Sequence, residues 1–185
     1  EPGVLGVHYL AEVHQPVRQL AVASLAQSTI VSFLNRATRS YYETFSSGGN
    51  YRIQPGWTDL KPTMISPENR QRLRKKLGYS INERIVINVG TLCPRKGQWF
   101  FVQAVEQLWE SCPKLAGECR FLLIGKNDVE YGQKLSREIT RLGRSNIELV
   151  SPTTKIHEYY GVADLFVLSS FEEGFPRVVL EAMSF

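Results

Sequence analysis

The 185-residue sequence predicts an α/β protein with a parallel, doubly wound sheet. From about residue 80 onward, short apolar runs alternate with longer amphipathic stretches, and strands alternating with helices are typical of parallel sheets. The last apolar run, 163–168, leads into a polar turn with Gly174 and then into Pro176, a residue suited to the start of a helix. A strand that feeds a helix in this way is where α/β proteins bind phosphates and sugars.

The region before residue 60 has weaker signals. Asn35 is a predicted N-cap, because its side chain can accept a hydrogen bond from the first turn of the helix that follows it. In chain order, the predicted elements are helices at 4–13 and 17–26, a strand at 29–34, a helix at 36–45, a turn at 46–50, a short strand at 51–53 and an irregular connection at 54–59.

From residue 62 the pattern is more regular. Residues 62–67 are a predicted linker, Ser66 caps the next helix, and Gly78 ends it. The predicted elements are a helix at 67–77, strands at 84–89, 120–124, 147–150 and 165–168, helices at 97–110, 131–142 and 154–162, and a last helix from Pro176. The basic residues of the first of these helices wrap around it, so we expect a solvated linker helix; they are Arg70, Arg72, Arg74, Lys75 and Lys76.

Composition narrows the functional class. The net charge of +4 fits a protein that handles phosphates and gives no reason to expect a nucleic-acid partner. The three scattered cysteines form no Cys-x-x-Cys pair, which indicates a reducing compartment such as the cytoplasm. The chain has no Gly-x-Gly-x-x-Gly, Walker loop or Asp-x-Asp, and its three histidines have no metal-ligand spacing. We therefore expect neither a dinucleotide oxidoreductase nor an NTPase, and neither a metal site nor a cofactor.

The segment 173–183 resembles the donor-site signature of glycosyltransferase family 4 (group 1), a family of retaining nucleotide-sugar transferases with the GT-B fold. That signature has two Glu separated by seven residues, with Gly-Phe after the first and Leu-Glu-Ala-Met around the second. Here these are Glu173-Gly174-Phe175 and Leu180-Glu181-Ala182-Met183. The alternative is that both carboxylates are solvated charges at a helix entry. Three more segments resemble parts of the family: 89–97, 30–38 and, with altered spacing, 53–59.

The resemblance implies a domain organisation of GT-B type. Residues 1–59 would be the end of the N-terminal, acceptor-side domain, and 60–79 the linker with a connecting helix. Residues 80–185 would be a truncated, nucleotide-sugar-binding C-terminal domain with a Rossmann-like parallel sheet. Because the family continues at both ends, we expect an incomplete chain that is inactive by itself, since the acceptor site would lie upstream.

The resemblance also implies roles on the phosphate side of the donor. Lys96 matches the family's phosphate-binding Lys on the loop after a buried strand, where a fixed positive charge stabilises a pyrophosphate leaving group. The family commonly has Arg after the strand glycine, Gly90, and this chain has Thr91. A threonine donates one neutral hydrogen bond, whereas an arginine fork gives two stronger ones. Either Arg95 compensates, or Lys96 and the amides after Pro176 bind the phosphates.

On the sugar side, Glu181 matches the ribose-binding residue, because a carboxylate accepts two hydrogen bonds from a vicinal diol. Glu173 matches the residue that contacts the transferred sugar, with Glu172 as its nearest rival. The loops 125–127 and 151–153 would line the base pocket. Glu173 and Lys96 are the predicted catalytic pair, and the predicted donor-binding residues are Gly90, Thr91, Arg95, Lys96, Gly125, Lys126, Glu173, Gly174, Phe175, Pro176, Arg177, Val178 and Glu181.

The leading hypothesis is therefore a metal-independent, retaining transferase that moves a sugar from a nucleotide-diphosphate sugar to a glycan, lipid or other acceptor. It would be cytoplasmic, with or without peripheral association at the inner face of the membrane. Two alternatives stay open: a non-catalytic nucleotide-sugar-binding module or degenerate partner subunit, and a GT-B sugar-nucleotide epimerase. The base, the sugar, the acceptor and the oligomeric state are not determined by these residues.

Overall fold

The computed structural model describes residues 19–20, 23, 27, 30–44, 50–56, 64–126 and 129–185. The helix predicted at 4–13, most of the helix predicted at 17–26 and most of the turn at 46–50 lie outside these residues, as do parts of the 54–59 connection and of the 62–67 linker. By internal packing the chain divides into two compact units. The first comprises the residues up to 57 together with 173–177, and the second comprises 58–172 together with 178–185.

Within the described residues 30–44 and 50–56, the first unit contains a two-stranded parallel sheet and a helix. Strand β1 (Val31–Phe33) pairs with β2 (Tyr51–Ile53), and helix α1 (Arg36–Glu43) lies between them in sequence. Asn35 caps α1 as predicted, since its side chain accepts a hydrogen bond of 2.8 Å from the Thr38 amide. A small aromatic core of Phe33 and Tyr42 holds these elements together. The strand and the helix are each shorter than the sequence predicts.

The second unit is a four-stranded parallel sheet in the order β5–β4–β3–β6. Its strands are β3 (Arg84–Val89), β4 (Cys119–Ile124), β5 (Ile147–Val150) and β6 (Leu165–Phe166). The helices are α2 (Pro67–Leu77), α3 (Gln98–Ser111), α4 (Pro113–Gly117), α5 (Val129–Leu142), α6 (Ile156–Val162) and α7 (Arg177–Ala182), and a 3-10 turn covers Pro94–Lys96.

Two hydrophobic cores, one on each face, confirm a doubly wound α/β sheet. Because alternate side chains of a strand point to opposite faces, β3 sends Val86 to one core and Ile85 and Ile87 to the other. The first core packs against α3 and α5, and the second packs against α2 and α6. The central strands are buried on both faces, as their continuous apolar runs predict.

Several boundaries differ from those predicted. The helix after β3 begins at Gln98 and not at 97, because Gly97 has a left-handed conformation and is its N-cap. A 3-10 turn at 94–96 precedes it. Strand β6 has only two residues, and the last helix begins at Arg177, one residue after Pro176. Helix α4 was not predicted; a proline opens it and five residues complete it. Ser66 and the left-handed Gly78 do bound α2 as predicted.

The prediction of a solvated linker helix at 67–77 holds for Arg72, Lys75 and Lys76, which are exposed, and is wrong for Arg70 and Arg74. Leu73 and Leu77 of α2 pack against the second core, which turns one face of the helix toward the sheet. The same face carries Arg70 and Arg74, one helical turn apart, and both guanidinium groups bind Asp164 at the start of β6. Arg74 is only 6% exposed. Spacing along the sequence does not reveal this partner, which lies 90 residues away.

Candidate functional site

The loops after β3 and β4 meet at the carboxyl edge of the sheet. The Gly90 amide donates to the Ile124 carbonyl at 3.0 Å, and the Leu92 amide donates to the Lys126 carbonyl at 2.8 Å. A Cβ atom on Gly125 would overlap the Gly90 carbonyl, so only glycine fits this close approach. The structure thereby brings together four of the predicted donor-binding residues: Gly90, Thr91, Gly125 and Lys126. Asn127 of the second loop lies outside the described residues.

Lys96 ends the 3-10 turn that follows this crossing. It is half-buried, and a Cβ on Gly90 would lie 3.9 Å from Lys96 Cδ, so the aliphatic stem of the lysine passes beside Gly90. Gly97 follows in a left-handed conformation and starts α3. Lys96 thus follows the carboxyl end of a central strand, the edge where open α/β sheets bind ligands.

The Lys96 loop is clamped to the segment after β6. Ser169 Oγ donates to the Lys96 carbonyl at 2.9 Å and accepts a 2.9 Å hydrogen bond from Asn88 Nδ2. Asn88 lies in β3, is 3% exposed and also donates to the Val167 carbonyl. Neither Asn88 nor Ser169 was among the predicted site residues. A polar residue inside the apolar run of β3 was the signal that would have pointed to Asn88, because a buried amide needs partners.

Arg95 lies on the same clamp, and its side chain is exposed. Its guanidinium donates to the Glu172 carbonyl at 3.0 Å, and its own carbonyl accepts from the Phe171 amide at 3.0 Å. The rings of Phe100 and Phe171 meet edge to face beside these bonds, with 4.9 Å between their centroids. Arg95 therefore ties the loop after β3 to the residue immediately before Glu173.

Thr91 is exposed, and the buried side chain of Gln98 binds its main-chain carbonyl. Gln98 Nε2 donates to the Thr91 carbonyl at 3.1 Å, and Gln98 is 1% exposed. The backbone at the predicted phosphate loop is thus held by the first residue of α3. The Thr91 hydroxyl is the side-chain donor that this chain offers where the family commonly has an arginine.

Glu181 lies on α7 and binds a buried tyrosine. The Tyr160 hydroxyl donates to Glu181 Oε2 at 3.0 Å and lies 3.4 Å from the Val178 carbonyl. Burial and the negative charge of Glu181 both raise the pKa of Tyr160, so the phenol keeps its proton. Val178 and Glu181 are the two remaining predicted donor-binding residues of the second unit. The side chain of Tyr160 connects both of them to α6.

The other predicted residues, 173–177, pack within the first unit. Asn35 Nδ2 donates to the Gly174 carbonyl at 3.0 Å, so the residue that caps α1 also binds this turn. The Phe175 ring covers Gly56, where a Cβ would lie 2.5 Å from the ring. Glu173 and Pro176 are half-buried, and Arg177 is exposed at the first position of α7.

The tryptophans and cysteines of the sequence have the following surroundings. Trp99 and Trp109 pack against the first core, as expected of core anchors, and Trp57 is outside the described residues. Cys93, Cys112 and Cys119 are free thiols. Among the described residues, no group of three His, Cys, Asp or Glu is placed to hold a metal ion. Within the same residues, no helix has the length and apolar character required to cross a bilayer.

Comparison with known proteins identifies relatives of this site. The α-galactosylglucosyldiacylglycerol synthase of Streptococcus pneumoniae is 36% identical over 120 residues, which are 65% of this chain and 31% of the relative. The UDP-Gal:α-D-GlcNAc-diphosphoundecaprenol α-1,3-galactosyltransferase of Escherichia coli is 28% identical over 136 residues, 71% of this chain and 34% of the relative. The chain thus spans about a third of the length of the curated relatives it matches.

A solved structure shows the fold of this chain, and a family model shows its family. The crystal structure of Anabaena HepE in complex with UDP-glucose superposes on the whole chain with a TM-score of 0.76 at 23% identity, and the match covers 48% of that protein. This likeness shows the GT-B fold. The family model described as "Glycosyl transferases group 1" matches residues 83–185, more than half of the chain. The chain belongs to the group 1 glycosyltransferases.

Proposed function

We propose that this protein is a retaining, metal-independent transferase that moves a sugar from a nucleoside-diphosphate sugar to a glycan or lipid acceptor. In this proposal the second unit supplies Lys96, Thr91, Val178 and Glu181 to the donor. The observation that carries the proposal is the clamp on Lys96, whose carbonyl accepts from Ser169 at 2.9 Å while Asn88 holds Ser169 from inside the sheet. A lysine on a loop held in this way suits a fixed anion better than a mobile surface lysine does.

The proposed chemistry is stabilisation of the leaving group. When the bond between the anomeric carbon and the β-phosphate oxygen breaks, its electron pair goes to that oxygen. The oxygen of the acceptor hydroxyl forms the new bond to carbon, and the hydroxyl proton passes to the released diphosphate. The Lys96 ammonium is the proposed partner of the developing charge on the diphosphate. Preorganised donors of this kind typically contribute about 2.7–4 kcal/mol to lowering a barrier.

The two glutamates of the signature bind the rest of the donor in this proposal. Glu181 accepts hydrogen bonds from the two ribose hydroxyls, since a carboxylate offers two adjacent acceptor atoms. Glu173 binds hydroxyls of the transferred sugar, together with the amides of Gly174 and Phe175. The amides of Arg177 and Val178 add donors for the phosphates at the start of α7.

Thr91 is the feature that favours a second candidate function. Because position 91 has a threonine, the loop has one charged donor fewer than a loop with the arginine common in the family. A non-catalytic subunit that only binds a nucleotide sugar would not require that charged donor. Arg95 binds the Glu172 carbonyl at 3.0 Å, so the proposal assigns the phosphates to Lys96, to the Thr91 hydroxyl and to main-chain amides. Transfer of sugar by the full-length protein separates the two functions.

The first test is calorimetric titration of the full-length protein with UDP, GDP and ADP. UDP is the leading candidate because the E. coli relative is named for UDP-Gal and HepE was solved with UDP-glucose. We expect one nucleotide to bind clearly tighter than the other two, and Glu181→Ala to weaken it by at least tenfold. Absence of binding by folded wild-type protein overturns the donor site.

The second test measures transfer with variants matched in charge. Lys96→Ala should lower the rate by about 10²–10³-fold, whereas Lys114→Ala on the exposed surface of α4 should leave it unchanged. Glu173→Ala should lower it strongly and its neighbour Glu172→Ala only slightly. Equal effects within either pair contradict the assigned roles.

Retention and metal independence have their own readouts. NMR of the product should show the anomeric configuration of the donor, and transfer should continue in excess EDTA, since the sequence has no Asp-x-Asp ligand pair. Inverted product, or activity that requires an added divalent cation, overturns the respective part of the proposal. The cytoplasmic location and the peripheral membrane association stay predictions, to be tested by fractionation.

A further inference from the structure

Two aromatic neighbours hold the ring of Tyr160, whose hydroxyl binds Glu181. Its ring stacks on Phe185 at 5.9 Å and 16° and is tilted against Phe166 at 6.2 Å. The residue is 4% exposed and belongs to the second core, so its ring has little freedom. The hydroxyl at the end of this fixed ring donates to Glu181 Oε2 at 3.0 Å.

The hydrogen bond from Tyr160 leaves Glu181 able to bind more. An ionised carboxylate has about four acceptor sites on two oxygens, and Tyr160 uses one of them on Oε2. The phenol donates over the whole working pH range, because burial and the Glu181 charge raise its pKa. A glutamate side chain otherwise samples many rotamers, and ordering it on ligand binding opposes affinity. Here the orientation of the carboxylate is set before the ligand arrives.

We propose that Tyr160 is a positioning residue whose hydroxyl holds the Glu181 carboxylate in the orientation that accepts both ribose hydroxyls of the donor nucleotide. This inference rests on the proposed function, in which Glu181 binds the ribose. Tyr160 itself acts through Glu181 and does not touch the donor in this proposal. The inference assigns a role to a residue of α6, an element outside the Glu-x7-Glu signature.

A purely structural role for Tyr160 makes a different prediction. If the residue only filled the core, its ring would matter and its hydroxyl would not. Tyr160→Phe keeps the ring and removes the hydroxyl, so it tests the bond to Glu181 without opening a cavity. The matched control is Tyr159→Phe, which removes the hydroxyl of the adjacent, half-buried tyrosine on the same helix.

The experiment compares ribose recognition rather than overall affinity. The full-length wild type, Tyr160→Phe, Tyr159→Phe, Glu181→Ala and the double variant Tyr160→Phe/Glu181→Ala are titrated with UDP and with 2′,3′-dideoxy-UDP. GDP or ADP and its dideoxy form replace these where that nucleotide binds tighter. The readout is the ratio of the two affinities, which reports the contribution of the ribose hydroxyls alone. Thermal unfolding of each variant confirms that it is folded.

Tyr160→Phe is expected to lower the affinity ratio by about tenfold, which corresponds to about 1.4 kcal/mol, and to leave dideoxynucleotide binding unchanged. Tyr159→Phe should keep the wild-type ratio, and Tyr160→Phe should have no further effect once Glu181 is alanine. A wild-type ratio in Tyr160→Phe, or equal weakening of both ligands, overturns the inference while the donor site stands. Failure of the wild type to bind any nucleotide overturns the proposed function and this inference with it.

Discussion

Two glycines at the carboxyl edge of the sheet show how a single residue type determines the geometry of the loops around Lys96. Gly97 has a left-handed φ of 67°, and a Cβ there would overlap the Ser169 carbonyl oxygen. Gly125 has the same steric problem with the Gly90 carbonyl. Main chain therefore approaches main chain at two points around Lys96, and any side chain at either glycine would separate the loops.

Gly97→Ala should destabilise the protein by about 3 kcal/mol or more, because it combines a disfavoured backbone conformation with a backbone clash. Gly78→Ala is the matched control: Gly78 has a φ of 81°, but its Cβ would have open space. That variant should cost only about 1–2 kcal/mol. Urea unfolding of both variants measures the difference. Equal decreases in the free energy of unfolding would show that the backbone at Ser169 moves to accommodate the new methyl group.

At the scale of elements, α2 is attached to the sheet by buried charge. Arg74 donates to the carbonyls of Ile81, Glu83 and Val162 at 3.1, 2.8 and 3.0 Å and to Asp164 Oδ2 at 2.6 Å. These bonds connect α2 with the turn before β3 and with the end of α6. Helix α2 is therefore packed against the second core, although its sequence is highly charged.

Arg74→Ala should destabilise the second unit by about 3 kcal/mol, since it leaves three carbonyls and a carboxylate without their buried partner. Arg72→Ala, two residues away on the exposed face of the same helix, should change stability by less than about 0.5 kcal/mol. Chemical denaturation of the two variants gives the comparison. A small effect of Arg74→Ala would mean that water replaces the lost donors.

Asp164 makes the same attachment sensitive to acid. Burial raises the pKa of its carboxyl, but the Ile85 amide and the guanidinium groups of Arg74 and Arg70 together hold that pKa below its ordinary value of 3.8. A depressed folded-state pKa contributes stability that is complete above 3.8 and is lost as the pH falls below it. Between pH 6 and 2.5, unfolding free energies should therefore fall less steeply for Asp164→Asn than for wild type. Glu110→Gln, an exposed control, should follow the wild-type curve.

At the scale of the whole molecule, one continuous signature is divided between two compact units. Residues 173–177 pack with the first unit, and Glu181 lies in the second. A ligand that binds the folded second unit and not the unfolded chain stabilises it by mass action. Stability in the presence of nucleotide is therefore a global readout of the donor site that needs no acceptor.

The nucleotide that binds tightest, present at a hundred times its Kd, should raise the free energy of unfolding by about 2.7 kcal/mol. Glu181→Ala at the same nucleotide concentration should gain clearly less, because its Kd is higher. Calorimetric scans with and without nucleotide measure both values. An equal gain in the two proteins would place the nucleotide away from Glu181.

The sequence by itself determined the class of fold, the family signature and most elements of the second unit. Strand β3 has the predicted bounds, and α2 has the predicted caps at Ser66 and Gly78. These features depend on local causes: apolar periodicity, a side chain that caps the next turn, and a glycine that accepts a left-handed φ. Lys96 and Glu181 were singled out by the resemblance of their segments to the family, and their roles stay predictions.

Only the tertiary structure decided which side chains support the site. Lys96 is bound by Ser169, which is 73 residues away in sequence. Arg74 binds Asp164, 90 residues away, and Glu181 binds Tyr160, 21 residues away. A parallel sheet places consecutive strands beside each other only after a helical crossover. Contacts at its edge therefore join residues that no local pattern relates, and Lys96 meets Ser169 because β6 pairs with β3.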